Sequence, residues 1–396
     1  MKKFKNLVIN TLLVIISTSI VLFFLNIFTI YNLKQSNKFF NSAVSAYSKN
    51  YMSNLQKAFF PDTYKSLEDN YIVLLGDSNT YGNGDSHLNG DYDYSIAHHL
   101  YKKNINVLNA SKPGNDTLRA VLYTLYLYDL IENSYFVKVN EPNKIIFFLY
   151  EGNDIQVNSN DLYVKNFDKD SCKIKQTNLS LLDRVWESNF YGLKTLYMTL
   201  KHQLNLDVQF GNMVSILKLI LPENTYKYLE SKFGNKYEYK PDNANQILLK
   251  NNKINNIGIL QKPPHDLSNK EINKYFDILE NSLKCLHDRF KTEEKYLVYM
   301  PSPGSLYNFN HEDLAFDHDE KKSYKKANIK KLRELSNFFE KNIKSISIKN
   351  QFKFHSLKND LKKVAKNQMI HGYLDPHHFN YLGYKTIADS LLKNIF

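Results

Sequence analysis

Ile72-Val73-Leu74-Leu75-Gly76-Asp77-Ser78-Asn79-Thr80 passes from a continuous apolar run into a polar turn. A short apolar run closed by glycine is the pattern of a strand buried on both faces. Three further runs repeat it: Ile105-Asn106-Val107-Leu108, Ile145-Ile146-Phe147-Phe148-Leu149-Tyr150, and Tyr296-Leu297-Val298-Tyr299-Met300, which Pro301 ends. A weaker fifth is Phe352-Lys353-Phe354. Longer helical patterns lie between them. Leu118, Val121, Leu122, Leu125 and Leu130 fit a helix opened by Asn115 or Asp116 as cap. Ser268 and Glu271 form a capping-box pattern, followed on one face by Ile272, Tyr275, Phe276, Leu279, Leu283, Leu286 and Phe290. Such alternation predicts an α/β fold, a parallel sheet with helices on both sides.

The chemistry-bearing residues follow the runs. After the first comes Gly76-Asp77-Ser78, after the second Ala110-Ser111-Lys112-Pro113-Gly114-Asn115, and after the third Glu151-Gly152-Asn153-Asp154. After the fifth, near the C-terminus, comes Asp375-Pro376-His377-His378. In open α/β sheets ligands bind outside the carboxyl ends of the strands, so these turns are expected to share one crevice. The residue types suit acyl transfer. Ser78 needs a base to take its proton, and His378 is the candidate. Asp375, three residues earlier, is placed to fix the imidazole by one helical turn, whereas His377 would face elsewhere. The backbone N–H groups of Ser78 and Gly114 and the Asn153 amide are candidate oxyanion donors. Taken singly, each motif is ordinary turn chemistry; the conjunction in this order is what is specific.

In these residues the chain resembles the SGNH hydrolases, also called GDSL-like esterases. The resemblance covers about residues 71–155 and 268–396. It rests on Gly76-Asp77-Ser78, Gly114, Asn153-Asp154 and Asp375-x-x-His378. It implies a flavodoxin-like α/β/α sandwich with a five-stranded parallel sheet. It also implies Ser78 as nucleophile, His378 as base, Asp375 as orienting carboxylate, and Ser78, Gly114 and Asn153 as oxyanion hole. Two positions depart from the usual blocks. Asn79 stands where the commonest first block has Leu, and Gly152 directly precedes Asn153 where one residue usually intervenes. Pro301-Ser302-Pro303 is similar to a segment of extracytoplasmic bacterial members and is read as a substrate-side loop.

Outside these blocks the chain is organised differently. From Asn6 to Leu33 there is no charged residue, preceded by Lys2, Lys3 and Lys5. A helix needs about 20 apolar residues to cross a bilayer. A signal-peptide core runs only about 7–15, and the nearest small-residue site, Val44-Ser45-Ala46, lies well past the run. Residues 1–32 are therefore expected to be an uncleaved transmembrane anchor. Its N-terminus belongs in the cytoplasm by the positive-inside rule, with the catalytic domain outside it. Residues 33–70 read as a stalk. Residues 156–267 break the alternation and read as a mainly helical insertion, with Leu193, Leu196, Leu200 and Ile216–Leu221 as helical stretches. This segment is either a lid over the sheet edge or a separate packing domain. Lys321, Lys322, Lys325, Lys326, Lys330, Lys331 and Arg333 recur at helical spacing, as on a solvated helix face.

Composition limits the partners. The 396 residues, 43% hydrophobic and 23% charged, are globular in character and long enough to bury a core unaided. Two cysteines, Cys172 and Cys285, exclude a disulfide scaffold; their distance in sequence makes a weak case for pairing. A net charge of +12 suits anionic membrane or glycan, and an extracytoplasmic domain makes nucleic acid an improbable partner. No cofactor is expected. No Gly-Lys-Ser/Thr follows the glycines, Gly82-Asn83-Gly84 lacks a third glycine at dinucleotide spacing, and the adjacent pairs His98-His99 and His377-His378 suit one metal ion poorly. Three functions remain. One is an esterase acting on acyl, foremost acetyl, groups of a surface glycan or lipid. Another is an O-acyltransferase for a surface polysaccharide, with a multi-span partner supplying the acyl donor. The third is an inactive glycan-binding module.

Overall fold

A computed structural model describes residues 70–85, 94–129, 140–155, 164, 166–174, 245–250, 253–260, 267–318, 323–373 and 375–396, with residues 11, 13, 14, 16–21 and 24 near the N-terminus. Its frame follows the alternation of apolar runs. In chain order come β1 (Tyr71–Leu75), α1 (Ser78–Tyr81), α2 (Ile96–Tyr101), β2 (Asn106–Asn109), α3 (Thr117–Asp129) and β3 (Lys144–Tyr150). After the short β4 (Phe167–Asp168) and β5 (Lys173–Ile174) come β6 (Asn245–Leu249), β7 (Lys253–Ile257), α4 (Asn269–Arg289) and β8 (Lys295–Met300). The rest is α5 (Pro303–Leu306), β9 (Asn308–Phe309), β10 (Asp313–His318), β11 (Ser323–Asn328), α6 (Ile329–Lys349), β12 (Lys353–Ser356), α7 (Lys358–Ala365) and α8 (Tyr381–Asn394).

Five strands pair in parallel in the order β2-β1-β3-β8-β12. The chain leaves β1 toward one edge and returns to build the other, so the order reverses beside β1, between the turns that follow β1 and β3. Strand residues alternate between two cores. Ile72, Leu74, Ile146, Phe148, Val298 and Met300 share one with α2, α7 and α8. Val73, Leu75, Ile145, Phe147, Leu297 and Tyr299 share the other with α3, α4 and α6. Each fully buried side chain of this kind contributes roughly 1.5–3 kcal/mol, which is why the runs are apolar without interruption.

The helix signals at α3 and α4 are used, with Leu130 outside the described residues. Asp116 rather than Asn115 opens α3, its Oδ1 accepting the Arg119 N–H at 2.9 Å. Ser268 and Glu271 form the reciprocal capping box of α4. The fifth strand begins one residue later than its apolar signal, because Phe352 is buried in the core just before β12.

Among its described residues the segment 156–267 holds the β4–β5 and β6–β7 hairpins. The helical stretches at 193–200 and 216–221 lie outside those residues. The β6–β7 hairpin packs onto the sheet domain. Ile247 and Leu249 join the core of α2, α7 and α8, β6 pairs with β9, and the buried Asn245 amide bonds the backbone of Gly258 and Ala315. The basic run is not one helix. Lys325 and Lys326 lie on β11, paired with β10, and only Lys330, Lys331 and Arg333 belong to α6. Finally, Cys172 and Cys285 form a disulfide across 113 residues, with Cα atoms 5.7 Å apart. Both border the core shared by α3, α4 and α6, so packing brings together what the sequence separates.

Among the described residues no helix is long and apolar enough to cross a membrane. The anchor expected at 1–32 lies largely outside them. Its described positions are helical and leave Leu13, Val14, Ile16, Ile20, Val21 and Phe24 exposed. The stalk at 33–70 lies outside them except for Asn70.

Candidate active site

The turn after β1 is built by Asp77. Its side chain caps α1, accepting the N–H groups of Asn79 at 2.9 Å and Thr80 at 3.3 Å. Asn79 adds its side-chain amide to the same carboxylate at 3.3 Å, a contact that the commoner Leu could not make. This cap turns the chain sharply and puts Ser78 at the head of α1, with 7% of its surface exposed. Burial raises the Asp77 carboxyl above its ordinary value, against the pull of His378 and the three donors.

The last turn of the chain meets it. His378 Nε2 lies 2.8 Å from Ser78 Oγ, and His378 Nδ1 lies 2.6 Å from Asp375 Oδ2. With the carboxylate as acceptor, Nδ1 carries the proton and Nε2 is left to accept from the serine hydroxyl. Burial alone would raise Asp375, yet its hydrogen bond to His378 and the charges of His378 and His377 hold it below the ordinary carboxylate value. His377 instead donates its backbone N–H to Asp375 Oδ1 at 3.3 Å, and its carbonyl accepts from Tyr150 OH at 3.4 Å. The loop is closed at its base, where Gly372 N–H donates to the His378 carbonyl and Asn380 N–H to the Ile370 carbonyl. His371 sits beneath it, bonded through Nδ1 to Tyr307 OH at 2.9 Å. Burial pulls His371 down to about 3, so it stays neutral.

The second and third turns flank this line. Residues 109–115 run along the exit of β1, with Ala110 N–H donating to Leu74 and Lys112 N–H to Gly76. Gly114 has φ +77, and beyond its chain neighbours no atom of the described residues lies within 4 Å of where its Cβ would be. A left-handed backbone facing open space is what close approach of a ligand requires. Asn153 follows β3. Its Oδ1 is buried and has no hydrogen-bond partner among the described residues. Asp154 closes that turn, accepting Tyr150 N–H at 2.7 Å, and its carbonyl accepts from Thr117 Oγ1 at 2.9 Å. The displaced glycine has a local cause: a Cβ at Gly152 would lie 2.4 Å from the Tyr150 ring.

No protein-family model matches the chain, and no curated protein does. The reading of the site therefore rests on its own geometry.

Several residues around it take roles that the sequence does not assign. Glu151 is buried and accepts from Ser302 N–H at 3.1 Å, Ser305 Oγ at 2.9 Å and Ser336 Oγ at 3.0 Å. It braces the segment after β8 against the turn after β3, so Ser302 is held by its backbone. Burial raises Glu151 above its ordinary value, opposed by the Ser302 amide, the Ser305 hydroxyl and the Lys358 charge. Asp85, seven residues past Ser78 in a glycine-rich turn, looks like turn chemistry in the sequence, yet its carboxylate reaches the loop of Asp375. A side chain that bonds backbone groups hundreds of residues away has no periodicity to betray it.

Proposed function

We propose that this chain is a serine esterase of the SGNH type, with the flavodoxin-like sandwich that the resemblance implies. Its substrate class is the O-acyl, foremost O-acetyl, groups of a cell-surface glycan or lipid. The observation that carries the reading is the continuous hydrogen-bonded line from Ser78 through His378 to Asp375. His378 Nε2 takes the Ser78 proton as Oγ attacks the acyl carbon, and Asp375 stabilises the imidazolium that forms. The tetrahedral oxyanion is received by the N–H groups of Ser78 and Gly114 and by the Asn153 amide. Each such donor is worth roughly 10²–10³ in rate. His378 returns the proton to the leaving alcohol, and water, activated by the same nitrogen, then releases the acyl group from Ser78. No cofactor takes part in these steps.

The domain is proposed to lie outside the cytoplasm on an anchor within residues 1–32. Support comes from the uncharged N-terminal run and from the Cys172–Cys285 disulfide, a bond that persists in oxidising compartments. A fluorophosphonate probe tests the chemistry. It should label the wild-type chain at Ser78 and leave Ser78→Ala unlabelled, and acetylated polysaccharide should release acetate. Absence of labelling in folded wild-type protein would remove the reading. Labelling without acetate release, but with acyl transfer to a glycan hydroxyl, would assign the same acyl-enzyme to a transferase.

A further inference from the structure

The turn that follows the nucleophile's helix is fastened to the loop that carries the other two members of the line. Asp85 Oδ1 accepts the N–H of Asp375 at 2.7 Å, and Oδ2 accepts the N–H of Tyr373 at 2.5 Å. One carboxylate therefore spans two backbone donors of the histidine loop. Tyr384 OH donates to the Asn83 carbonyl at 2.5 Å, two residues before Asp85. Between them Gly84 approaches so closely that a Cβ there would lie 2.7 Å from the Phe379 carbonyl.

We propose that Asp85 is a positioning residue for the triad: it sets the distance between Ser78 and His378 by holding the Asp375 backbone against the α1 turn. The inference rests on the serine-esterase reading above. Charge-assisted N–H···O⁻ bonds are short and directional, and roughly twice as strong as neutral ones. Two of them on one carboxylate fix both the position and the tilt of the peptide segment that they grip. The segment ends at Asp375, whose side chain orients His378, so a shift at Asp85 is passed directly to Nε2. Misplacement by about 1 Å costs on the order of 10²-fold in rate without touching the substrate. Asp85 thus acts through Asp375 and His378.

The test uses the purified full chain, an aryl acetate and a fluorophosphonate probe. Asp85→Ala should lower kcat by about 10- to 100-fold with KM within about twofold, while the thermal melt stays cooperative. Asp85→Asn keeps the shape and one acceptor and should fall between wild type and Ala. In an Asp375→Ala background the effect of Asp85→Ala should shrink to about threefold or less, because the two residues act on the same imidazole. A brace that merely supports the fold would lower kcat by the same factor in both backgrounds, and that result overturns the proposal. So does wild-type kcat in folded Asp85→Ala. Should the Ala variant not fold, Asp85→Asn is read by the same criteria. Wild-type chain that resists the probe would sink the esterase reading and this proposal together; a labelled wild type with a neutral Asp85 sinks this proposal alone.

Discussion

Ser78 Oγ lies 2.8 Å from His378 Nε2, although 300 positions separate the two residues in the chain. Each is brought there by its own local device, the Asp77 cap on one side and the closed 372–380 loop on the other. In the proposed esterase the line acts as a unit, so Ser78→Ala and His378→Ala should each lower kcat for a short aryl ester by several orders of magnitude. His377→Ala should be far milder, since the hydrogen bonds that tie it to Asp375 and Tyr150 are made by its backbone. Steady-state kinetics on folded variants rank the three. A His377 variant more damaged than the His378 variant would reverse their roles.

The sheet was legible because its strands are buried on both faces and so are written as unbroken apolar runs. β12 was the faintest, since Lys353 and His355 interrupt it at the sheet edge. Ser78, Gly114, Asn153, Asp375 and His378 were legible because each follows a strand or sits near the C-terminus in a polar turn. The hairpins β6–β7 and β10–β11 were not. Asn245, Asn255 and Asn256 give no strand signal, and Lys325 and Lys326 read as helix face, because an antiparallel ribbon with one open side needs few apolar residues. The disulfide was illegible for another reason, in that separation along the chain says nothing about which face of a sheet two segments share.

Asn153 is proposed as an oxyanion donor, and its turn is closely packed. Gly152 allows the turn to pack against the Tyr150 ring, and Asp154 ties it back to β3, so the position of the amide is set by tight neighbours. Asn153→Ala should lower kcat by about 10²–10³ with little change in KM, because the amide matters as charge develops on the oxygen. A kcat within about twofold of wild type on the same aryl ester would show that Asn153 serves the turn alone.

The disulfide should stabilise without serving catalysis. A cross-link closing 113 residues restricts the unfolded chain by about 5 kcal/mol in the chain-entropy account. Reduction should therefore lower the melting temperature, and Cys285→Ser should melt where reduced wild type does. Turnover at low temperature should persist in both, since Ser78, His378 and Asp375 make no contact with either cysteine among the described interactions. Two titratable thiols in unreduced, folded protein would disprove the bond.

The carboxyl of Asp154 makes stability depend on pH. Burial raises it well above the ordinary carboxylate range, and the neighbouring Asp77 raises it further. Its Oδ2 accepts from Tyr150 N–H, while Oδ1 is buried with no hydrogen-bond partner among the described residues. A group raised in the folded state holds its proton at pH values where the unfolded chain has lost it. Folding then takes up a proton, and the native state loses stability as pH rises from the unfolded value, about 3.9, toward the folded one. Asparagine cannot ionise, and its carbonyl can keep the bond to Tyr150. The melting temperature of Asp154→Asn relative to wild type should accordingly climb as pH is raised from about 4 toward the folded-state value. Below about 4, where Asp154 is protonated in both states, the pH-dependent part of the difference should vanish. Melts of both proteins across that range measure it. A difference that stays constant with pH, or narrows as pH rises, would mean that Asp154 is ionised in the native protein and that burial does not govern it.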